Sequence, residues 1–213
     1  MKSEFYNCDN MEFMAKFPDG HFELAIVDPP YGIGADKAQN AGGEKWGFKQ
    51  YKQTDWDSSI PSKEYFAELK RVSKNQIIWG GNYMTEHLPP SMGWIVWDKE
   101  QRDFSLADGE LAWTSFKKAL RIFELSRGKA LANNNEDGGR IHPTQKPVRL
   151  YEWLLANYAK EGDKILDTHV GSGSSRIACH NLKFDFFGCE LDEDYFKQAE
   201  QRYQEHIRQE VLF

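Results

Sequence analysis

Short apolar runs rich in β-formers, set between segments of helical period, most narrow the folds open to this chain. The runs fall at residues 5–8, 24–27, 76–79, 94–97, 120–123, 164–166 and 184–187. Several lack the alternation of a half-exposed strand, as strands covered on both faces do. Helix-period segments lie between them at residues 63–72, 148–159, 174–181 and 194–209. Strands alternating with helices predict an α/β fold: a mostly parallel sheet with helices on both faces. In such sheets ligands bind beyond the carboxyl ends of the strands, so chemistry is to be sought just after each apolar run.

With 213 residues, 40% of them hydrophobic, the chain can bury one sizeable core but not two, so residues 1–213 read as a single domain. Two stretches exceed ordinary connection lengths, residues 32–60 and 128–145, and read as substrate-side or disordered loops. Within the second, the run at residues 133–139 reads as a surface loop. The cysteines Cys8, Cys179 and Cys189 never form a C-x-x-C pair, which points to neither a disulfide frame nor a zinc site and fits a reducing cytoplasm. His169 and His180 lack a third ligand at a plausible spacing, so no metal is expected. No apolar run approaches the roughly 20 residues that span a bilayer, so no membrane partner is expected either. The formal net charge of −6 opposes long-range attraction to a polyanion. Any nucleic-acid contact must then be local, at Lys45, Lys49 and Lys52, interleaved with aromatic residues, or in the basic stretch from Lys117 to Lys129.

Ile165 to Ser175 reads as a strand, a turn with Gly171 and Gly173, and a helix start. Glycine suits a tight turn that must approach a ligand closely. Glu190 ends the next strand about 20 residues further on, where a nucleotide-binding βαβ unit puts the acid that accepts from ribose hydroxyls. A third glycine is missing, which disfavours a dinucleotide, and no Gly-Lys-Ser/Thr follows, which excludes a P-loop.

At Asp28-Pro29-Pro30-Tyr31 an apolar strand runs into an acid, two prolines and an aromatic. Each proline fixes its own φ and biases the residue before it to extended geometry, so Asp28 and Pro29 are held stiffly. The Asp28 carboxylate and Pro29 carbonyl can together accept both hydrogens of one amino group, while Tyr31 offers a face to a planar base. Two acceptors favour the pyramidal, nucleophilic form of an aromatic amine, which suits its methylation. Asp28 then stabilises charge as it develops and need not be a strong base.

The Asp28 to Tyr31 segment resembles the catalytic motif of the DNA amino-methyltransferases, which act on adenine N6 or cytosine N4. Asp167 through Gly173 is similar to their cofactor loop, with His169 where phenylalanine is usual. His142-Pro143-Thr144-Gln145-Lys146-Pro147 resembles their H-P-T-x-K-P segment, which lies by the methionine end of the cofactor. Cys8-Asp9-Asn10 resembles their G-D segment, whose acid meets the cofactor adenine. The motif order is that of the family's β arrangement, and the landmarks run from Asp9 to Glu190.

The resemblance implies a Rossmann-like methyltransferase fold, S-adenosylmethionine as cofactor and double-stranded DNA as partner, with a homodimer left open. It implies cofactor contacts from Asp9, Asp167, Gly171, Gly173, Glu190, Thr144 and Lys146, catalysis by Asp28, Pro29, Pro30 and Tyr31, and DNA contacts from Lys45, Lys49 and Lys52. Target recognition in the β arrangement precedes the H-P-T segment, and only residues 126–142 remain for it here. Adenine is the expected target, since the cytosine-N4 class usually has serine at the place of Asp28. An asparagine there would suit a protein-amide methyltransferase, and a non-catalytic DNA-binding subunit would not need both motifs intact.

Overall fold

β2 (Phe22–Val27) runs through the middle of the sheet and shows why its sequence does not alternate. Leu24 and Ile26 enter one hydrophobic cluster and Ala25 and Val27 another, and each is buried. A strand with a core on each side has no polar face. The computed structural model describes residues 1–34, 56–103, 107–136, 139, 141–142 and 144–210. Among these, eight strands form one sheet in the order β1-β8-β7-β2-β3-β5-β4-β6. They are β1 (Ser3–Asn7), β2, β3 (Ser73–Trp79), β4 (Trp94–Asp98), β5 (Gly109–Thr114), β6 (Arg121–Glu124), β7 (Lys164–Asp167) and β8 (Asp185–Glu190). β5 alone is antiparallel to its neighbours β3 and β4. The fold is therefore the expected α/β one.

Helices cover both faces. On one, α1 (Asn10–Met14) and α2 (Lys63–Val72) contribute Phe13, Met14, Phe66, Leu69 and Val72 to the cluster that holds Ala25 and Val27. After α3 (Arg127–Glu136), the other face receives α4 (Val148–Tyr158), α5 (Ser174–Asn181) and α6 (Glu193–Glu210), with Leu150, Leu154, Ile177 and Tyr203 packed beside Leu24 and Ile26. Pro147 precedes α4, and its lost N–H falls where a helix would leave one unpaired anyway.

The connections fix where a ligand can sit. From β2 the chain crosses through α2 to β3 on one side; from β7 it crosses through α5 to β8 on the other. β2 and β7 are neighbours, so a crevice opens between their carboxyl ends, at the topological switch point. Asp28 follows β2 there and Thr168 follows β7.

Three sequence expectations need correction. Residues 128–145 are not irregular throughout, because Arg127–Glu136 is a helix that takes in part of the expected surface loop. Ser126 sits at its start: the Ala130 N–H donates to the Ser126 carbonyl at 2.8 Å, and Lys129 N–H reaches the Ser126 hydroxyl at 3.4 Å. Ala130 is buried in the core, so packing overrides the weak propensity of the asparagines that follow. Second, β5 was not anticipated. Third, the basic stretch from Lys117 to Lys129 is divided. Because β5 is antiparallel, Lys117 and Lys118 follow it at the amino edge of the parallel strands, where Ser115 N–H donates to the Gln76 carbonyl. Arg127 and Lys129 open α3 at the opposite, crevice edge, where Arg127 N–H donates to the Lys99 carbonyl. Among the described residues no helix is long and apolar enough to cross a membrane.

Candidate active site

Two adjoining cavities lie along the crevice among the described residues. The larger, about 650 Å³, runs between the ends of β1, β7 and β8. The smaller, about 300 Å³, lies over β2, β3 and β5. Asp28, Trp56, Thr144 and Lys146 line both. Asp28 therefore stands where one ligand would meet the other.

Each oxygen of Asp28 has a partner. Oδ1 accepts the Tyr31 hydroxyl at 2.7 Å, and Oδ2 accepts Lys146 Nζ at 2.5 Å. Lys146 also reaches Glu110 at 3.2 Å, and Glu110 is held by Lys99 at 2.6 Å. Lys146 is 3% exposed, with its ammonium between the rings of Trp79 and Tyr31 at 5.2 and 5.7 Å. Burial alone would raise the Glu110 carboxyl, but Lys146 and Lys99 outweigh it and hold its pKa at about 2. Burial pushes the Asp28 carboxyl up, and the Lys146 ammonium opposes that shift. Burial works against the Lys146 ammonium, and its two carboxylate partners more than offset this.

The turn after β2 is fixed from outside. Buried Asp57 accepts the N–H groups of Tyr31 and Gly32. Gly32 has φ +70°, a left-handed value that glycine adopts without strain. The Tyr31 ring lies against Gly80, where a Cβ would come within 2.2 Å of Cε1, and stacks on Tyr83 at 5.2 Å between centroids with planes 18° apart. Tyr83 is 45% exposed, so the pair forms an aromatic wall from the turn to the surface.

In the larger cavity Glu190 closes the glycine turn. Its Oε2 accepts Gly171 N–H at 2.8 Å and its Oε1 accepts Asp192 N–H at 3.0 Å. Burial raises its pKa, and the two amides oppose the rise. Asp9 Oδ1 caps α1 through the amides of Met11 and Glu12. His169 fills the expected phenylalanine position: Asn10 Nδ2 lies 3.2 Å from its Nε2, and Thr168 Oγ1 3.0 Å from its Nδ1. Burial lowers its pKa to about 4, so the ring is neutral near pH 7.

Asp9, Thr144, Lys146, Gly171 and Glu190 gather around the larger cavity, and Asp28, Pro29 and Tyr31 around the smaller. Pro30 lines the larger one. Asp167 and Gly173 do not border either. Asp167 is 1% exposed and holds the loop together, accepting Ser175 Oγ at 2.6 Å and His169 N–H at 2.9 Å. Gly173, φ +79°, caps α5. Asn82, a few residues after β3, also lines the smaller cavity. Lys45, Lys49 and Lys52 lie outside the described residues. Sequence reasoning missed Asp57, Trp56, Tyr83, Lys99 and Glu110. Lys99 carried a usable signal, since it follows an apolar run at the ligand-bearing edge, and Trp56 and Asp57 fall within the stretch 32–60 read as a substrate-side loop.

A family model described as DNA methylase matches residues 96–201, a span that holds Lys146, the glycine turn and Glu190. The type II methyltransferase M2.DpnII of Streptococcus pneumoniae is 27% identical across 91% of this chain and 87% of its own length. Over residues 96–201 the chain is similar to the DNA methylase family. Another relative, the type II methyltransferase M.HpaI of Haemophilus parainfluenzae, is also 27% identical, over 92% of the chain and 72% of its own length. Among solved structures, the M1.HpyAVI-SAM complex has the same fold, with a TM-score of 0.59 at 22% identity over 93% of this chain and 98% of that one. The cytosine-N4-specific PvuII DNA methyltransferase superposes with a TM-score of 0.61 at 14% identity, covering 95% of this chain and 86% of its own.

Proposed function

We propose that this protein transfers a methyl group from S-adenosylmethionine to the exocyclic N6 amine of adenine in double-stranded DNA, with the target base flipped out of the helix. The observation that carries the reading is Asp28 at the meeting of the two cavities. The larger fits the cofactor: Glu190 and Asp9 offer acceptors along its wall, and the tight turn at Gly171 admits close approach. Bound there, the cofactor supplies a sulfonium methyl, an electrophile that needs no further activation. Asp167 and Gly173 serve it by shaping the loop.

The smaller cavity suits one planar base against the Tyr31–Tyr83 wall. A base in a duplex cannot reach this depth, so it leaves the stack at a cost of a few kcal/mol. The Asp28 carboxylate and Pro29 carbonyl accept the two amine hydrogens and direct the nitrogen lone pair to the larger cavity. As the nitrogen–carbon bond forms at the expense of the methyl–sulfur bond, Asp28 stabilises the charge on nitrogen and is placed to take the surplus proton. Pro30 stiffens the turn. Arg127 and Lys129, exposed at the crevice edge, are suited to phosphate.

The type II methyltransferases among its relatives make a role in site-specific modification the natural reading. Free thiols at Cys8, Cys179 and Cys189 fit work in a reducing cytoplasm, beside DNA. The test is to treat genomic DNA with the protein and S-adenosylmethionine, digest it to nucleosides and separate them by mass. N6-methyldeoxyadenosine is expected; N4-methyldeoxycytidine in its place would reassign the target base.

A further inference from the structure

We infer that Lys146 is a latch that holds the substrate amine's place on Asp28, and that Glu110 is the positioning residue that receives it when the base arrives. The inference rests on the proposed amine methylation and adds two residues to it.

Lys146 Nζ is a nitrogen donor at 2.5 Å from Asp28 Oδ2, at the junction of both cavities. The substrate amine must donate to the same carboxylate from that junction. The two are in competition for the space around Oδ2. The conflict sharpens as the reaction proceeds, because the substrate nitrogen becomes cationic as it gains the methyl. A fixed ammonium within a few ångströms in a buried site would raise the barrier that Asp28 is there to lower.

Lys146 cannot simply retreat into the core, since a desolvated ammonium needs an anion. Glu110 supplies one at 3.2 Å, within a short swing of the same side chain. The rings of Trp79 and Tyr31 lie 5.2 and 5.7 Å from the ammonium where it sits on Asp28. Lys99, 2.6 Å from Glu110, holds that carboxylate in place to receive it. In the exchange Lys146 lets go of Asp28 and keeps the Glu110 contact it already makes, and Asp28 accepts the amine hydrogens in place of the ammonium.

The test compares Glu110→Gln in two backgrounds, wild type and Lys146→Met, with tritiated methyl transfer to plasmid DNA and calorimetric cofactor binding as readouts. With the receiving carboxylate gone, Lys146 stays on Asp28. kcat should fall on the order of 10- to 100-fold, a size typical of coupled neighbours, while cofactor affinity in the wild-type background stays within about twofold. With Lys146→Met there is no latch to receive, so adding Glu110→Gln should cost little more. Glu110→Asp, which keeps the charge, should recover part of the rate. An equal loss in both backgrounds, or unchanged kcat in Glu110→Gln, would overturn the latch while leaving the methyltransferase reading intact. A wild-type protein that methylates no DNA would overturn both.

Discussion

The Asp57 carboxyl accepts the backbone N–H groups of Tyr31 and Gly32, at 2.6 and 3.0 Å, and so ties a distant segment to the turn that carries Asp28. Removing it leaves two amides without their acceptor, at roughly 1–3 kcal/mol for a buried donor left unpaired. Asp57→Ala should lower thermal stability by about that amount. It should slow methyl transfer further, by about 100-fold, because displacement of about 1 Å at a reacting group has that effect. Asp57→Asn, which keeps one acceptor, should fall between. Single-turnover rates and melting curves on the same samples check this; a rate that falls only in step with stability would remove Asp57 from the positioning role.

Gly80 has φ +67°, and the place of its missing Cβ lies 2.2 Å from the Tyr31 ring. Gly80→Ala must therefore move Tyr31 as well as adopt a left-handed backbone, a strain of about 1–3 kcal/mol. The expected result is weak methyl transfer with cofactor affinity within a few fold of wild type. Normal turnover would mean that the Tyr31 ring position is not needed.

Much of this site could be read from the chain, and the parts that could not share a cause. Asp28 and the glycine turn follow apolar strands and Glu190 ends one, so strand reading combined with the carboxyl-edge rule finds them. The helices at residues 63–72 and 174–181 were legible to the residue from their periodicity. Glu110 was hidden because β5 is antiparallel: it enters the crevice at the start of its strand, where the rule for parallel sheets does not look. Asp57 and Tyr83 act through tertiary contacts 26 residues away in one case and by ring stacking in the other, and neither leaves a local pattern. The helix at Arg127–Glu136 escaped notice because its second half is rich in asparagine, and burial of Ala130, a tertiary contact, helps to place it.

Asp167 gives a pH signature. Burial raises its pKa to about 7, against opposition from the Ser175 hydroxyl and the His169 amide. The unfolded chain releases this proton near pH 3.8 and the folded one near 7, so between those values the folded state holds more protons. Its contribution to stability therefore declines as pH rises through that window. Melting temperatures of wild type and Asp167→Asn should converge, or cross in favour of the variant, from pH 4 to pH 7.5. A difference independent of pH would contradict this assignment.

Glu190 bonds the Gly171 and Asp192 amides and faces the larger cavity, so its loss should affect the cofactor first. A charge-assisted, partly buried contact is worth roughly 1.5–3 kcal/mol, so Glu190→Ala should weaken S-adenosylmethionine binding on the order of 10- to 100-fold. Glu190→Gln should recover part of that. Isothermal titration gives the answer directly, and unchanged affinity in Glu190→Ala would place the nucleoside elsewhere.

The account turns on Asp28 acting on the substrate amine and not on the cofactor. The most direct measurement pairs tritiated methyl transfer to DNA with calorimetric cofactor binding in Asp28→Ala. Methyl transfer should be abolished while cofactor affinity stays within a few fold of wild type. Retained transfer, or cofactor affinity lost together with activity, would contradict it.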